Sequence, residues 1–269
     1  MFSSTLRQKW ATGQCTVNGW LGIANSFSAE VMAAQDYDSL TVDLQHGVVG
    51  YDALPSMVQA MKATGTAPLV RVPWRSAGDL MKALDLGIEG VICPMVNNAE
   101  EAAELASYCR YPPRGQRSFG PTRALFGVDP AYYKTANDEV IVLAMIETGE
   151  AVENVDAIVG TDGIDGVYIG PADLTLGVTN GRLQPGQDRE EPEMLEAIRK
   201  ILNAAKSAGK YACLHTGEPT YAAKGAEWGF DMVTIGSDAK LMASAAAASI
   251  KTFRDLAGQK SGGGVQSDY

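Results

Sequence analysis

Eight short apolar runs punctuate the chain and alternate with longer segments of helical period: GWLGIAN, SLTVDLQ, APLVRVP, GVICPMV, VIVLAMIE, GVYIGPA, YACLHT and DMVTIGS. Between them lie stretches such as YDALPSMVQAMKATG, AGDLMKALDLG and EPEMLEAIRKILNAAKSAG. These carry apolar residues at three- and four-residue steps and end near glycine, as amphipathic helices do. Runs without strict alternation belong to strands buried on both faces, and helical crossovers between them demand parallel pairing. The economical closure is an α/β fold, a (β/α)8 TIM barrel, with a lead-in helix over roughly Ser3 to Ala11. An open doubly wound sheet is the rival, but no GxGxxG follows the first run, so its dinucleotide fingerprint is missing. The 269 residues are read as one barrel domain over 1–257, with 258–269 as a disordered tail.

Charge and composition narrow the partners. Lys and Arg number 22 against 32 Asp and Glu, a formal net charge of -10, which disfavours nucleic acid and anionic membranes. No run reaches the length of a membrane span and the start lacks a signal-peptide core, so a cytoplasmic protein is expected. Cys15, Cys93, Cys109 and Cys213 show no metal or CxxC spacing and read as reduced thiols, Cys93 and Cys213 on buried strands.

In a parallel barrel the carboxyl ends of all strands open on one face, where chemistry is built. Strand two delivers Asp43, Gln45 and His46 there, strand three Arg71, strand five Glu147 and strand six Asp173. Two carboxylates brought together repel, raising one pKa, unless a cation lies between them. Mg²⁺, Mn²⁺ or a similar hard ion suits oxygen ligands. Taken singly, Glu147 is equally a helix cap and Asp173 a turn residue. His46, one of two histidines, is a candidate base whose ring Asp43 would hold. Arg71 either forks the carboxylate or keto oxygens of a small acid or is paired to a barrel carboxylate. The IGPA segment, Ile169 through Gly170 to Ala172, could offer backbone amides to the same ligand. No lysine stands at a strand end, so Schiff-base chemistry is not indicated.

The segments DLQHG, VRVP, DLGIEGVICPMV, RYPPRGQRSFG, IET and GVYIGPADL together resemble the HpcH/HpaI aldolase family, the class II, metal-dependent pyruvate aldolases, from about Trp20 to Leu241. The resemblance implies reversible aldol addition between a 2-oxo acid enolate and an aldehyde. It also implies Glu147 and Asp173 as metal ligands, His46 as base and Arg71 at the enolate oxygen. Asp43 and Asp85 would raise the basicity of the histidine, and Gly170, Ala172 and Asp173 would contact the oxo acid. Where many members carry Gln two residues before the metal-binding Glu, this chain has Met145. AMIET, RSFGP and DLQH are closer to the hydroxy ketoacid aldolase branch, which also accepts hydroxypyruvate. His215 has no counterpart in the family pattern.

Two long connections, YPPRGQRSFGPTRALFGVDPAYY and LTLGVTNGRLQPGQDREEP, are expected on the functional face, the first with Phe119, Arg123 and Phe126 placed to select the aldehyde. The family resemblance further implies a homo-oligomer, a hexamer built as a trimer of dimers. The alanine-rich LMASAAAASIKTFRDLAG would be the exchanged helix, and Asp85 would act across a subunit boundary. Lyases of citryl or malyl thioesters are the neighbouring alternative, against which the acidic GQDREEP stretch argues. A barrel that binds a 2-oxo acid without turning it over is the alternative from another class.

Overall fold

The computed structural model describes residues 1–259. Among them, eight parallel strands close a barrel in sequence order. They are β1 (Thr16–Leu21), β2 (Ser39–Asp43), β3 (Ala67–Arg71), β4 (Gly90–Cys93), β5 (Ile141–Ile146), β6 (Gly166–Ile169), β7 (Tyr211–His215) and β8 (Met232–Ser237). Side chains alternate between two shells, as the strand period requires. Leu21, Val42, Val70, Val91 and Val142 face outward into the core shared with the helices. Trp20, Leu69, Ile92, Leu143, Met145, Tyr168 and Met232 fill the barrel interior, which the lead-in helix Thr5–Ala11 closes with Leu6 and Trp10. Buried Glu89, just before β4, accepts from Ser4 Oγ at 2.9 Å and Thr5 N at 2.8 Å, a carboxylate at the positive end of that helix. The lead-in helix therefore seals the amino-terminal end and leaves the carboxyl-terminal end open.

One expectation about the connections is overturned. The segment that carries Phe119, Arg123 and Phe126 follows the helix Ala99–Cys109 and leads into β5, so it returns to the amino-terminal face, away from the rim where βα loops gather. Buried Arg110 pins it there through the carbonyls of Val140 and Gly163, at 2.8 and 2.9 Å, and the Asp165 carboxylate at 2.7 Å. Arg123 donates to the Leu86 carbonyl, Phe119 packs on Tyr111 and Tyr133, and Phe126 is exposed. The segment also contains two short helices, Thr122–Gly127 and Tyr132–Glu139.

The second long connection does lie on the functional face, although its start is the helix Pro171–Thr179. The last helix, Asp238–Leu256, buries only Asp238 and exposes Leu241, Met242, Ile250, Phe253 and Leu256. Of the expected tail, residues 260–269 lie outside the described residues. All four cysteines are free, and burial raises each thiol, Cys15 to about 11. Among the described residues no helix is long and apolar enough to cross a membrane.

Candidate active site

A cavity of about 520 Å³ opens at the carboxyl ends of the strands. Asp43, His46, Arg71, Glu147, Gly170, Ala172 and Asp173 all line it, although they come from four different strand ends. Register places the first pair: Asp43 and Arg71 are Cα partners at the last rung of β2 and β3. Arg71 forks Asp43 through Nε at 2.8 Å and Nη2 at 2.6 Å, and its guanidinium lies 4.9 Å from the centre of the Trp20 ring. Asp43 also accepts from Trp20 Nε1 at 3.2 Å and from the backbone N–H groups of Gln45 and His46, at 3.0 and 3.3 Å. Burial alone would raise this carboxyl. The Arg71 hydrogen bonds and charge outweigh it and hold Asp43 below the ordinary carboxylate range.

That bonding corrects the expected dyad. The Asp43 carboxylate is occupied by Arg71, Trp20 and two amides, and among the described residues no hydrogen bond joins it to the His46 ring. Its contact with His46 is through the backbone, which fixes where the residue leaves the strand. The imidazole itself is exposed and open to the cavity. Asp85 stands apart from this cavity. It caps the helix Ala77–Leu84, on the amino-terminal side of β4, where fully buried Arg117 donates to it at 2.8 Å. Within its own barrel it stands at the opposite end from His46.

Glu147 directly follows β5 and is 2% exposed. Burial pushes its carboxyl up to about 7, and the nearby Asp173 charge adds to the rise, while the Met95 N–H opposes it. That N–H donates to Oε1 at 2.8 Å from a residue held at φ +55°, a left-handed conformation that costs a non-glycine residue about 1–2 kcal/mol. Glu147 Oε2 has no partner among the described residues. A methyl on Gly170 would stand 2.6 Å from Oε2 and 2.6 Å from Met145 Cε, so only glycine leaves this carboxylate its place. Asp173, exposed, lies in the first turn of the helix Pro171–Thr179, whose N-cap Gly170 provides no side-chain partner for the free amides.

Several participants were missed from the sequence. Asp188, at φ +54°, accepts the N–H groups of Gly217 and Glu218 at 2.8 Å each and ties the long connection to the end of β7. Lys240 lines the cavity from the first turn after β8, so the rim does carry one lysine. His215, singled out in the sequence but given no role there, ends β7 inside the same cavity.

Residues 18–245 match the family model described as HpcH/HpaI aldolase/citrate lyase. The chain belongs to that family. A hydroxypyruvate/pyruvate aldolase of Rhizorhabdus wittichii is 39% identical over 251 residues, 93% of this chain and 99% of that protein. A 4-hydroxy-2-oxo-heptane-1,7-dioate aldolase of Salmonella dublin is 34% identical, covering 90% and 91%. Among solved structures, an HpcH/HpaI aldolase/citrate lyase family protein from Burkholderia cenocepacia superimposes with a TM-score of 0.86 at 28% identity, over 94% of this chain and all of that one. Membership in the HpcH/HpaI family at this identity makes the chain a carbon–carbon lyase of the aldolase type.

Proposed function

We propose that this aldolase joins the enolate of a 2-oxo acid, pyruvate or hydroxypyruvate, to an aldehyde and reverses the reaction, using a divalent cation such as Mg²⁺ or Mn²⁺ held by Glu147 and Asp173. The observation that carries the reading is Glu147: a buried carboxylate with one oxygen unpartnered, beside a second carboxylate, in the cavity that also holds His46 and Arg71. Among the described residues no three His, Cys, Asp or Glu side chains converge. An all-oxygen pair that leaves the other positions to substrate and water fits a hard ion better than a soft one. When bound, the ion supplies Lewis acidity that makes the C3 protons of the oxo acid removable.

The chain's own residues do the rest. His46, unhindered in the cavity, takes the C3 proton and returns it in the cleavage direction. Arg71, set in orientation by Asp43 and Trp20, adds positive field where the enolate oxygen develops charge, at no cost of reorganisation during reaction. The free amides of Ala172 and Asp173, at a helix N-terminus, receive the substrate carboxylate. Met145 lines the cavity with a thioether, so no amide from that position contacts the oxo acid. The Rhizorhabdus wittichii relative, named for hydroxypyruvate and pyruvate, supports both as nucleophiles. Asp188 and Glu218 on the rim disfavour the phosphates of a coenzyme A thioester.

The exposed apolar residues of the helix Asp238–Leu256 support a homo-oligomer, a hexamer as trimer of dimers, in which that helix covers a neighbour. In such an assembly Asp85 reaches the cavity of another subunit from the outside of its own barrel. The test of function is addition of pyruvate and of hydroxypyruvate to glycolaldehyde and succinic semialdehyde. Product that disappears with EDTA and returns with Mg²⁺ or Mn²⁺ is expected; product indifferent to EDTA contradicts the reading.

A further inference from the structure

His215 Nδ1 lies 2.9 Å from Tyr168 Oη, which lies 2.7 Å from Thr234 Oγ1, which in turn lies 2.9 Å from Asn18 Nδ2. Asn18 Oδ1 faces Ser39 Oγ at 2.9 Å and Thr41 Oγ1 at 3.1 Å. Asn18, Ser39, Thr41, Tyr168 and Thr234 are all fully buried, so each hydroxyl proton needs an acceptor inside the barrel. That requirement gives the chain a direction. Ser39 and Thr41 both donate to Asn18 Oδ1; with the amide turned over, the Thr41 proton would have no acceptor among the described residues. Asn18 therefore donates to Thr234. Thr234 Oγ1, whose other neighbour among the described residues is Tyr168 Oη, gives its proton to Tyr168, and Tyr168, receiving that proton, gives its own to His215 Nδ1.

An imidazole that accepts at Nδ1 and stays neutral carries its proton on Nε2. Burial, followed by the Arg71 charge, keeps His215 neutral, down to about 3. Trp20 stands edge-on to the ring at 4.8 Å and fixes its plane. Among the described residues Nε2 has no partner, and the side chain lines the catalytic cavity. A single neutral donor is suited to a neutral oxygen. Anionic groups have Arg71, Lys240 and the helix N-terminus to choose instead.

We propose that this relay, Asn18 to Thr234 to Tyr168, presents His215 as a locked Nε2–H donor that binds a hydroxyl of the substrate, making the enzyme selective for hydroxyl-bearing reactants. The assignment rests on the aldolase reading above. The hydroxyl has two possible sources, the carbon beside the aldehyde carbonyl or C3 of hydroxypyruvate, which separate arms of one experiment distinguish.

The first arm compares glycolaldehyde with propanal, of the same heavy-atom count but without the hydroxyl, each with pyruvate. The second compares hydroxypyruvate with pyruvate, each with propanal. A neutral hydrogen bond of ordinary strength corresponds to about tenfold in kcat/KM. His215→Phe is expected to lower the hydroxyl preference about tenfold in one arm, mainly through KM. The arm that moves names the source; no change in either ratio overturns the proposal. Long-range ¹H–¹⁵N spectra of the unmodified enzyme supply a readout independent of activity, since only His46 and His215 contribute imidazole signals. One imidazole is expected in the Nε2–H form, converting to a mixture of tautomers in Tyr168→Phe. An Nδ1–H tautomer in the unmodified enzyme overturns the relay. Absence of any aldol product with either aldehyde would instead refute the activity reading while leaving the tautomer result intact.

Discussion

Replacing Asp43 with asparagine preserves the shape of the side chain and removes its charge. The carboxylate is 4% exposed and accepts hydrogen bonds from five donors, two of them on Arg71. An asparagine has one acceptor oxygen, and its NH₂ group points donors at donors. Breaking a buried ion pair by removing one partner costs about 3–5 kcal/mol, because the remaining charge is left uncompensated. The Arg71 side chain is 11% exposed, on the cavity side, so water reaches it and the lower figure applies, about 3 kcal/mol. For a chain of this size that lowers Tm by about 6–12 °C. Arg71, freed from its fork, loses its alignment, and kcat/KM should fall about 100-fold, or about 2.7 kcal/mol of transition-state stabilisation. Calorimetry and initial aldol rates measure both. The double variant Asp43→Asn/Arg71→Gln should regain part of the lost stability, because it removes the stranded charge, yet stay inactive. An Asp43→Asn protein with unaltered Tm and rate would refute the pairing as the device that sets Arg71.

Gly170→Ala should weaken Mn²⁺ binding, measured by calorimetric titration, by about tenfold, roughly 1.4 kcal/mol, because the new methyl displaces Glu147 Oε2; unchanged affinity would show that Oε2 is not a ligand. His215, held at about 3 against an ordinary 6.5, stays neutral in the fold but takes a proton in the unfolded chain. Stability should therefore fall as pH drops from about 6.5 towards 3, by roughly 2 kcal/mol at pH 5. Urea titrations should find that share of the acid loss missing from His215→Phe, and equal slopes would contradict it. Mixed assemblies of inactive Asp85→Ala and His46→Ala subunits should regain activity, since some sites then receive both intact residues from different chains. No recovery would contradict the cross-boundary arrangement.

The barrel was legible because parallel strands covered on both faces leave near-continuous apolar runs, and the residues ending those runs must share a rim. Asp43, His46, Arg71, Glu147 and Asp173 were found that way, and the structure brings them to one cavity. How they pair was not legible. Strand order alone does not reveal that the rung joining Asp43 to Arg71 gives the carboxylate to the arginine rather than to His46. Asn18, which bonds Ser39, Thr41 and Thr234 in a polar inner layer, interrupts the apolar pattern of β1, so the run that announces the strand starts at Gly19 although the strand begins at Thr16. A long connection rich in Gly and Pro was assigned to the wrong face because composition does not distinguish a βα loop from an αβ return. The φ of +55° at Met95, which turns an amide onto Glu147, has no sequence signal, since methionine is not a residue that favours it.

The most direct test of the central claim, that this rim forms a 2-oxo acid enolate with a divalent ion, is exchange of the pyruvate methyl protons in D₂O followed by NMR, with no aldehyde present. Exchange is expected with Mg²⁺ or Mn²⁺, with little after EDTA and little in His46→Ala. Exchange that persists without metal, or none with any divalent ion, would contradict it.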